Sequence, residues 1–146
     1  MLILQGVKKR TWVIVISAAD AAAFVADGHV RVSSGKRTML DRMRVGDRVV
    51  VYSPRSAHPD GEPVRAVTAI GEVAGEQVDG VADRYARAAS MRSVTPVPLD
   101  KLRDRLPVSL LRFGCIALSE ANAASVWRLV TRRRCEPARD IAVTDH

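Results

Sequence analysis

The segment Trp12 to Ile16 reads WVIVI, five apolar residues in a row, four of them β-branched. Polar alternation is missing from it, so a strand built from these residues has apolar side chains on both faces and must be covered on both. Arg48 to Tyr52 (RVVVY), after the Gly46-Asp47 turn signal, is a second strand. Aromatic residues make up only 4% of the 146, so the core around these strands has to come from Val, Ala, Leu and Ile. A chain of this length suffices for one domain with a real core and is short for two.

Local signals place the remaining elements. Ser17 ends the first run and has Asp20 three residues on, a near capping box, so a short Ala-rich helix is expected from Ala18 to Asp27. Gly28 is its left-handed stop. Residues 29–38 are polar and irregular, and Thr38 to Met43 makes one or two helical turns with Met39, Leu40 and Met43 inward. Ser53 to Pro63 is crowded with turn formers. A strand is expected from Val64 to Val73, with Gly71 as a bulge or bend, then a loop over 74–83. Further strands follow over Tyr85 to Thr95 and Phe113 to Leu118, with a helical segment opened by Pro98 and carrying Leu99, Leu102 and Leu106 between them. Ser119 caps a last helix, Glu120 to Arg134, whose Ala123, Val126, Trp127 and Val130 share a face. Four or five separated strands with short, non-alternating helices argue against a doubly wound fold and suit a small α+β barrel. The core spans about 10–134 of a single domain, and 135–146 is a loosely held tail.

Motifs for chemistry are missing. Cys115 and Cys135 are too few for a disulfide scaffold and wrongly spaced for zinc, and His29, His58 and His146 have no metal-ligand spacing. No Gly-x-Ser-x-Gly occurs. In GHVRVSSGKRT six residues separate Gly28 from Gly35 and Arg37 follows Lys36, so the stretch is not a Walker loop. It keeps the means to hold an anion, or is an ordinary solvated turn. No run is long enough to cross a bilayer, and the order of the N-terminal residues is the reverse of a signal peptide's. A cytoplasmic protein without cofactor or metal, monomeric, is the expectation. Net charge is +7 and unevenly spread: residues 84–134 hold 11 basic against 3 acidic residues. Such a segment suits a polyanion, or reflects Arg-rich codon usage.

The stretch from Gly28 to Arg55 also carries a family likeness. Trp12 opening a strand that leads to Ser17, a helix, then Gly28, Gly35, Lys36, Leu40, Met43, Gly46, Asp47, Tyr52, Ser53 and Pro54 in order resembles the EVE family, small PUA-like proteins related to YTH domains. The likeness covers roughly residues 10–130 and implies an α+β fold, a small PUA-like mixed β-barrel of about five or six strands flanked by short helices. It also implies a non-catalytic nucleic-acid-binding module with a pocket for one flipped or modified base of DNA or RNA. His29, Arg31, Ser34 and Val51 depart from the family pattern at pocket positions, so a different base or weaker binding is expected. The pocket residues are then Trp12, Ser17, His29, Arg31, Ser34, Gly35, Lys36, Tyr52 and Ser53, with Trp12 and Tyr52 as stacking walls. Phosphate contacts fall to Lys36, Arg37, Arg55, Arg84 and Arg87. Trp12 suits a core position equally well, Tyr52 could cap the barrel, and Trp127 belongs to the core. A nucleoside sensor using the same cavity is the alternative. An enzyme would need Asp47, His29 and Ser34 to converge.

Overall fold

A computed structural model of the protein describes residues 9–32, 37–58, 60–80, 85–106 and 114–131. Strand β1 (Thr11–Val15) is followed by helix α1 (Ala18–Asp27), the two-residue strand β2 (His29–Val30) and the single-turn helix α2 (Thr38–Arg42). Then come the long strands β3 (Arg48–Arg55), β4 (Pro63–Asp79) and β5 (Ala86–Pro98), a 3-10 turn (Leu99–Lys101) and β6 (Cys115–Ala117). Residues 120–131 form helix α3. The strands make one sheet in the order β2-β5-β4-β3-β1-β6, in which β1 and β3 run parallel and the other described pairs antiparallel. Curled into a half-barrel with its short helices, this is an α+β fold of the PUA-like kind.

β1 is covered on both faces, as its sequence demands. Trp12 and Ile14 join Val49 and Val51 of β3, Ala21 and Phe24 of α1 and Leu40 of α2 in one core. Val13 points the other way and joins Val50, Tyr52, Val67, Ile70, Leu102, Leu106, Val126 and Val130 in a second core under α3. Each of the Val, Ile, Leu and Phe side chains among these, taken from water, contributes about 1.5–3 kcal/mol. The expectation that Trp12 and Tyr52 form two walls of one pocket fails on this parity. Trp12 pairs with Val49 and Tyr52 with Val15 in the β1–β3 register, which puts their side chains on opposite faces of the sheet.

Several boundaries move. β4 runs on to Asp79 where a loop was expected, and β2 extends the sheet within the irregular stretch. Both are held by β5: His29 pairs with Ala88 and Asp79 with Ala86. Gly71 is no bulge, since it pairs in register with Val49 and Met91; a Cβ there would collide with the carbonyl oxygen of Ser90. Close approach of neighbouring backbone is what keeps that position glycine. The register instead shifts at Val51/Tyr52, Ser53/Arg55, Val67/Ala69 and Val73/Val78, and these irregularities help the long strands bend. The Pro98 segment makes a 3-10 turn where a helix was expected, and Leu99, Leu102 and Leu106 are all buried.

Candidate functional site

The site grows from the way β1 stops. Ile16 still donates its N–H to the Tyr52 carbonyl (3.1 Å), and Ser17 then turns out of the sheet. Its Oγ accepts from the N–H of Asp20 (3.2 Å), which caps α1, and Ala19 N–H donates to the Ser56 carbonyl (2.9 Å), tying the helix start to the turn after β3. At the far end Gly28, at φ 73°, donates to the Phe24 carbonyl and reverses the chain into β2. Helix, strand ends and turn thereby enclose a cavity of about 690 Å³, open on one side.

Asp20, Ala23, Phe24 and Asp27 of α1 line this cavity. They stand at helical spacings of three, four and seven, a single stripe along the helix. Ile16, Phe24, Val15 and Val32 supply apolar surface; Ser17, Asp20, Asp27, His29, Arg31, Arg55 and His58 bring polar groups. His29 Nδ1 lies 3.1 Å from the Asp27 carbonyl, and Arg55 donates to the Gly61 carbonyl (3.1 Å). The volume is that of an ordinary small-ligand pocket. Carboxylates that accept, guanidiniums that donate and a wall of hydrocarbon suit a flat polar heterocycle, in reach of a phosphate.

Of the pocket residues expected from sequence, Ser17, His29 and Arg31 lie on this cavity. Ser34, Gly35 and Lys36 fall outside the described residues. Trp12, Tyr52 and Ser53 do not line it. Trp12 is wholly buried, its indole N–H donating to Asp47 Oδ2 (3.0 Å) and its ring covered by the Arg42 guanidinium at 5.8 Å. Ser53 is wholly buried with its hydroxyl 2.7 Å from that of Thr68. Among the expected phosphate contacts, Arg55 lies on the rim, and Lys36 and Arg84 are outside the described residues. Arg37 is exposed, paired with Asp41 (2.9 Å) and stacked 5.2 Å over Tyr85, and the pairing holds the Asp41 carboxyl below its ordinary value. Arg87 is a correction: it is buried, donating to the carbonyls of Leu40 (2.6 Å) and Gly75 (2.8 Å), so it fastens α2 to the sheet and is not free for phosphate.

Asp20, Asp27, Phe24, Pro54 and His58 were missed as cavity residues. The helical stripe was the available signal for the first three; the fold of the turn after β3, which brings Pro54 and His58, leaves none. Asp47 does not meet His29, as the enzyme reading requires. It accepts from Arg10 N–H (3.1 Å), Trp12 Nε1 and Arg44 N–H (2.9 Å), and is buried in doing so. Burial pushes the Cys115 thiol up to about 12, which leaves it protonated and inert near neutrality. No group of three or more potential metal ligands occurs, and no helix is long and apolar enough to cross a membrane, among the described residues.

Comparison with known proteins agrees with this architecture. A UPF0310 protein of Renibacterium salmoninarum is 31% identical over 131 residues, covering 82% of this chain and 94% of that protein. One from Streptococcus gordonii is 30% identical over 121 residues, 76% and 86% of the two chains. Among solved structures, the YTH domain of the Zygosaccharomyces rouxii MRB1 protein in complex with N6-methyladenosine RNA superposes with TM-score 0.59 at 16% identity, covering 84% of this chain and 86% of the other. Human THYN1 in complex with 5-methylcytosine-containing DNA superposes with TM-score 0.55 at 12% identity, covering 83% and 97%. The EVE domain family model matches residues 10–129. The chain is therefore a member of the EVE domain family.

Proposed function

We propose that this protein is a nucleic-acid-binding module that takes one unpaired or flipped-out base into the cavity between α1 and the ends of β1 and β3. The observation that carries the reading is the lining itself: apolar Ile16, Phe24 and Val32 beside Asp20, Asp27, Ser17 and Arg31. Carboxylates accept from the exocyclic amino groups of adenine or cytosine, and hydrocarbon tolerates a methyl group added to such a base. Arg31 and Arg55 stand where a flanking phosphate is within reach, a contact that positions without specifying. The structural neighbours that hold methylated bases in RNA and DNA support the same reading.

The test is fluorescence anisotropy with single-stranded nonamers, RNA and DNA, that carry one N6-methyladenine or 5-methylcytosine or none. The wild-type protein is expected to prefer one modified strand. Asp20→Asn with Asp27→Asn should erase that preference, by about tenfold per lost hydrogen bond to a carboxylate, while leaving non-specific binding in place. An unchanged preference removes the cavity from the reading. The same carboxylates favour a second reading, because they repel phosphate: a free nucleoside as ligand. In that case a nucleoside raises Tm and an oligonucleotide does not.

A further inference from the structure

A second hollow opens at the same end of the sheet. It measures about 210 Å³ and is lined by Val64, Arg65, Pro98, Leu99, Asp100 and Arg103. The register explains why two arginines meet there. Ser53 pairs with Ala66 and Arg55 with Pro63, so Val64 and Arg65 stand against Pro54 alone, an extra residue in β4. Proline opposite has no N–H to lose. Arg65 takes the left-handed conformation at φ 46°, the one described non-glycine residue with positive φ. Glycine is the usual occupant of such a bulge position, so an arginine there retains strain in exchange for its side chain. Ala66 in turn pairs with Pro98, after which the 3-10 turn brings round Arg103. The phenol of Tyr52 lies near enough for both guanidiniums to act on it: burial raises its pKa, and Arg65 and Arg103 pull it back.

We propose that the Arg65–Arg103 hollow is a phosphate-holding subsite, and that the sheet end from Arg55 at the cavity rim to this hollow carries the backbone of a single-stranded nucleic acid. The proposal rests on the reading of the cavity given above. From β3 to β5 is two strand spacings, about 10 Å, a span that an extended single strand, whose phosphates are spaced more widely than stacked bases, crosses in about two nucleotides. Asp100 opposes the phosphate, since it lies in the hollow and accepts from Arg103 Nε at 3.1 Å. The pair is loose: the side chains are 55% exposed for Arg103 and 83% for Asp100, and water already weakens such an ion pair. A phosphate that bridges two guanidiniums outcompetes it.

The experiment titrates the full chain with fluorescein-labelled octadeoxyadenylate and with labelled deoxyadenosine monophosphate across a salt series. Replacing both arginines (Arg65→Gln, Arg103→Gln) should weaken octamer binding about tenfold. The slope of log affinity against log salt should shrink by about 1.4, two contacts at about 0.7 each for a single strand. Binding of the mononucleotide, which reaches only the cavity, should hold. Asp100→Asn, which frees Arg103, should strengthen the octamer. Arg65→Gly should weaken octamer binding while raising Tm, which separates lost charge from lost fold. Octamer affinity and slope that ignore all of these substitutions overturn the subsite. Failure of the cavity reading looks different: Asp20→Asn with Asp27→Asn leaves base preference intact while the Arg65 and Arg103 variants still lose the octamer.

Discussion

At the scale of single residues, Asp47 has the heaviest structural duty in the described part of the chain. Its carboxylate is buried and accepts three N–H groups, from Arg10, Trp12 and Arg44, at 2.9–3.1 Å. That arrangement fixes the indole of Trp12 inside one core and closes the turn that starts β3. Hydrogen bonds to a charged acceptor each contribute about 1.5–3 kcal/mol, and donors left buried without a partner add a desolvation cost. Asp47→Ala should therefore lower unfolding stability in urea by about 3–5 kcal/mol. Asp47→Asn, which keeps one acceptor oxygen, should lose less. Equal losses for the two variants would mean that the carboxylate's hydrogen bonds are not what holds the turn.

At the scale of elements, α2 is the least self-sufficient. It is one turn long, has no side-chain cap at its start, and buries a single residue fully, Leu40. A helix this short does not persist on its own propensity. What anchors it from outside is Arg87 of β5, whose guanidinium donates to the Leu40 carbonyl and, on its other side, to the Gly75 carbonyl in β4. Arg87→Met keeps an unbranched stem and removes the donors, and should cost about 2–4 kcal/mol by leaving two carbonyls without their partner. Native-state hydrogen exchange should show the added opening around α2 first; uniform loss of protection across the sheet would sink the idea. The anchor also shows which parts of the fold sequence patterns could carry. Runs such as WVIVI and RVVVY, the Ser17 and Ser119 caps and the Gly28 stop are local signals, and each element they mark is found. β2 owes its pairing to β5, about sixty residues away along the chain, so no window of sequence contains the cause. The far half of β4 pairs with β5 across a short hairpin, but its polar residues, Glu76, Gln77 and Asp79 among them, carry no strand pattern. The cavity divides the same way. Ser17, His29 and Arg31 were legible through the family likeness, whereas Asp20 and Asp27 looked like helix-start and helix-end residues. Trp12 and Tyr52 were misplaced because neighbouring strands had been established without a register, and one residue of register decides the face.

At the scale of the whole molecule, the two cores share one wall. β1 and β3 give alternate residues to each side, Trp12 and Val49 to one, Val13 and Val50 to the other, so neither core can be dismantled while the strands between them remain. A sheet of this kind should unfold as a single unit. The two tryptophans allow this to be measured. Trp12 is wholly buried on the α1 side, and Trp127 packs against the other core, stacked 4.7 Å beneath the Arg48 guanidinium. In Trp127→Phe the remaining fluorescence reports the α1 side, and in Trp12→Phe it reports the α3 side. Trp12→Phe also loses the indole donor to Asp47, so its midpoint should fall below that of Trp127→Phe. Within each variant, however, the fluorescence midpoint and the midpoint from far-ultraviolet circular dichroism should coincide. If α3 and its core came away first, Trp12→Phe fluorescence would change at lower urea than the circular dichroism, and the two faces would be separate units joined only by sequence. The outcome bears on function as well, because the cavity draws Val15 from the α3 side and Phe24 from the α1 side. A lining contributed by both cores keeps its shape only if they hold together, which is the condition for a rigid pocket able to distinguish one base from another.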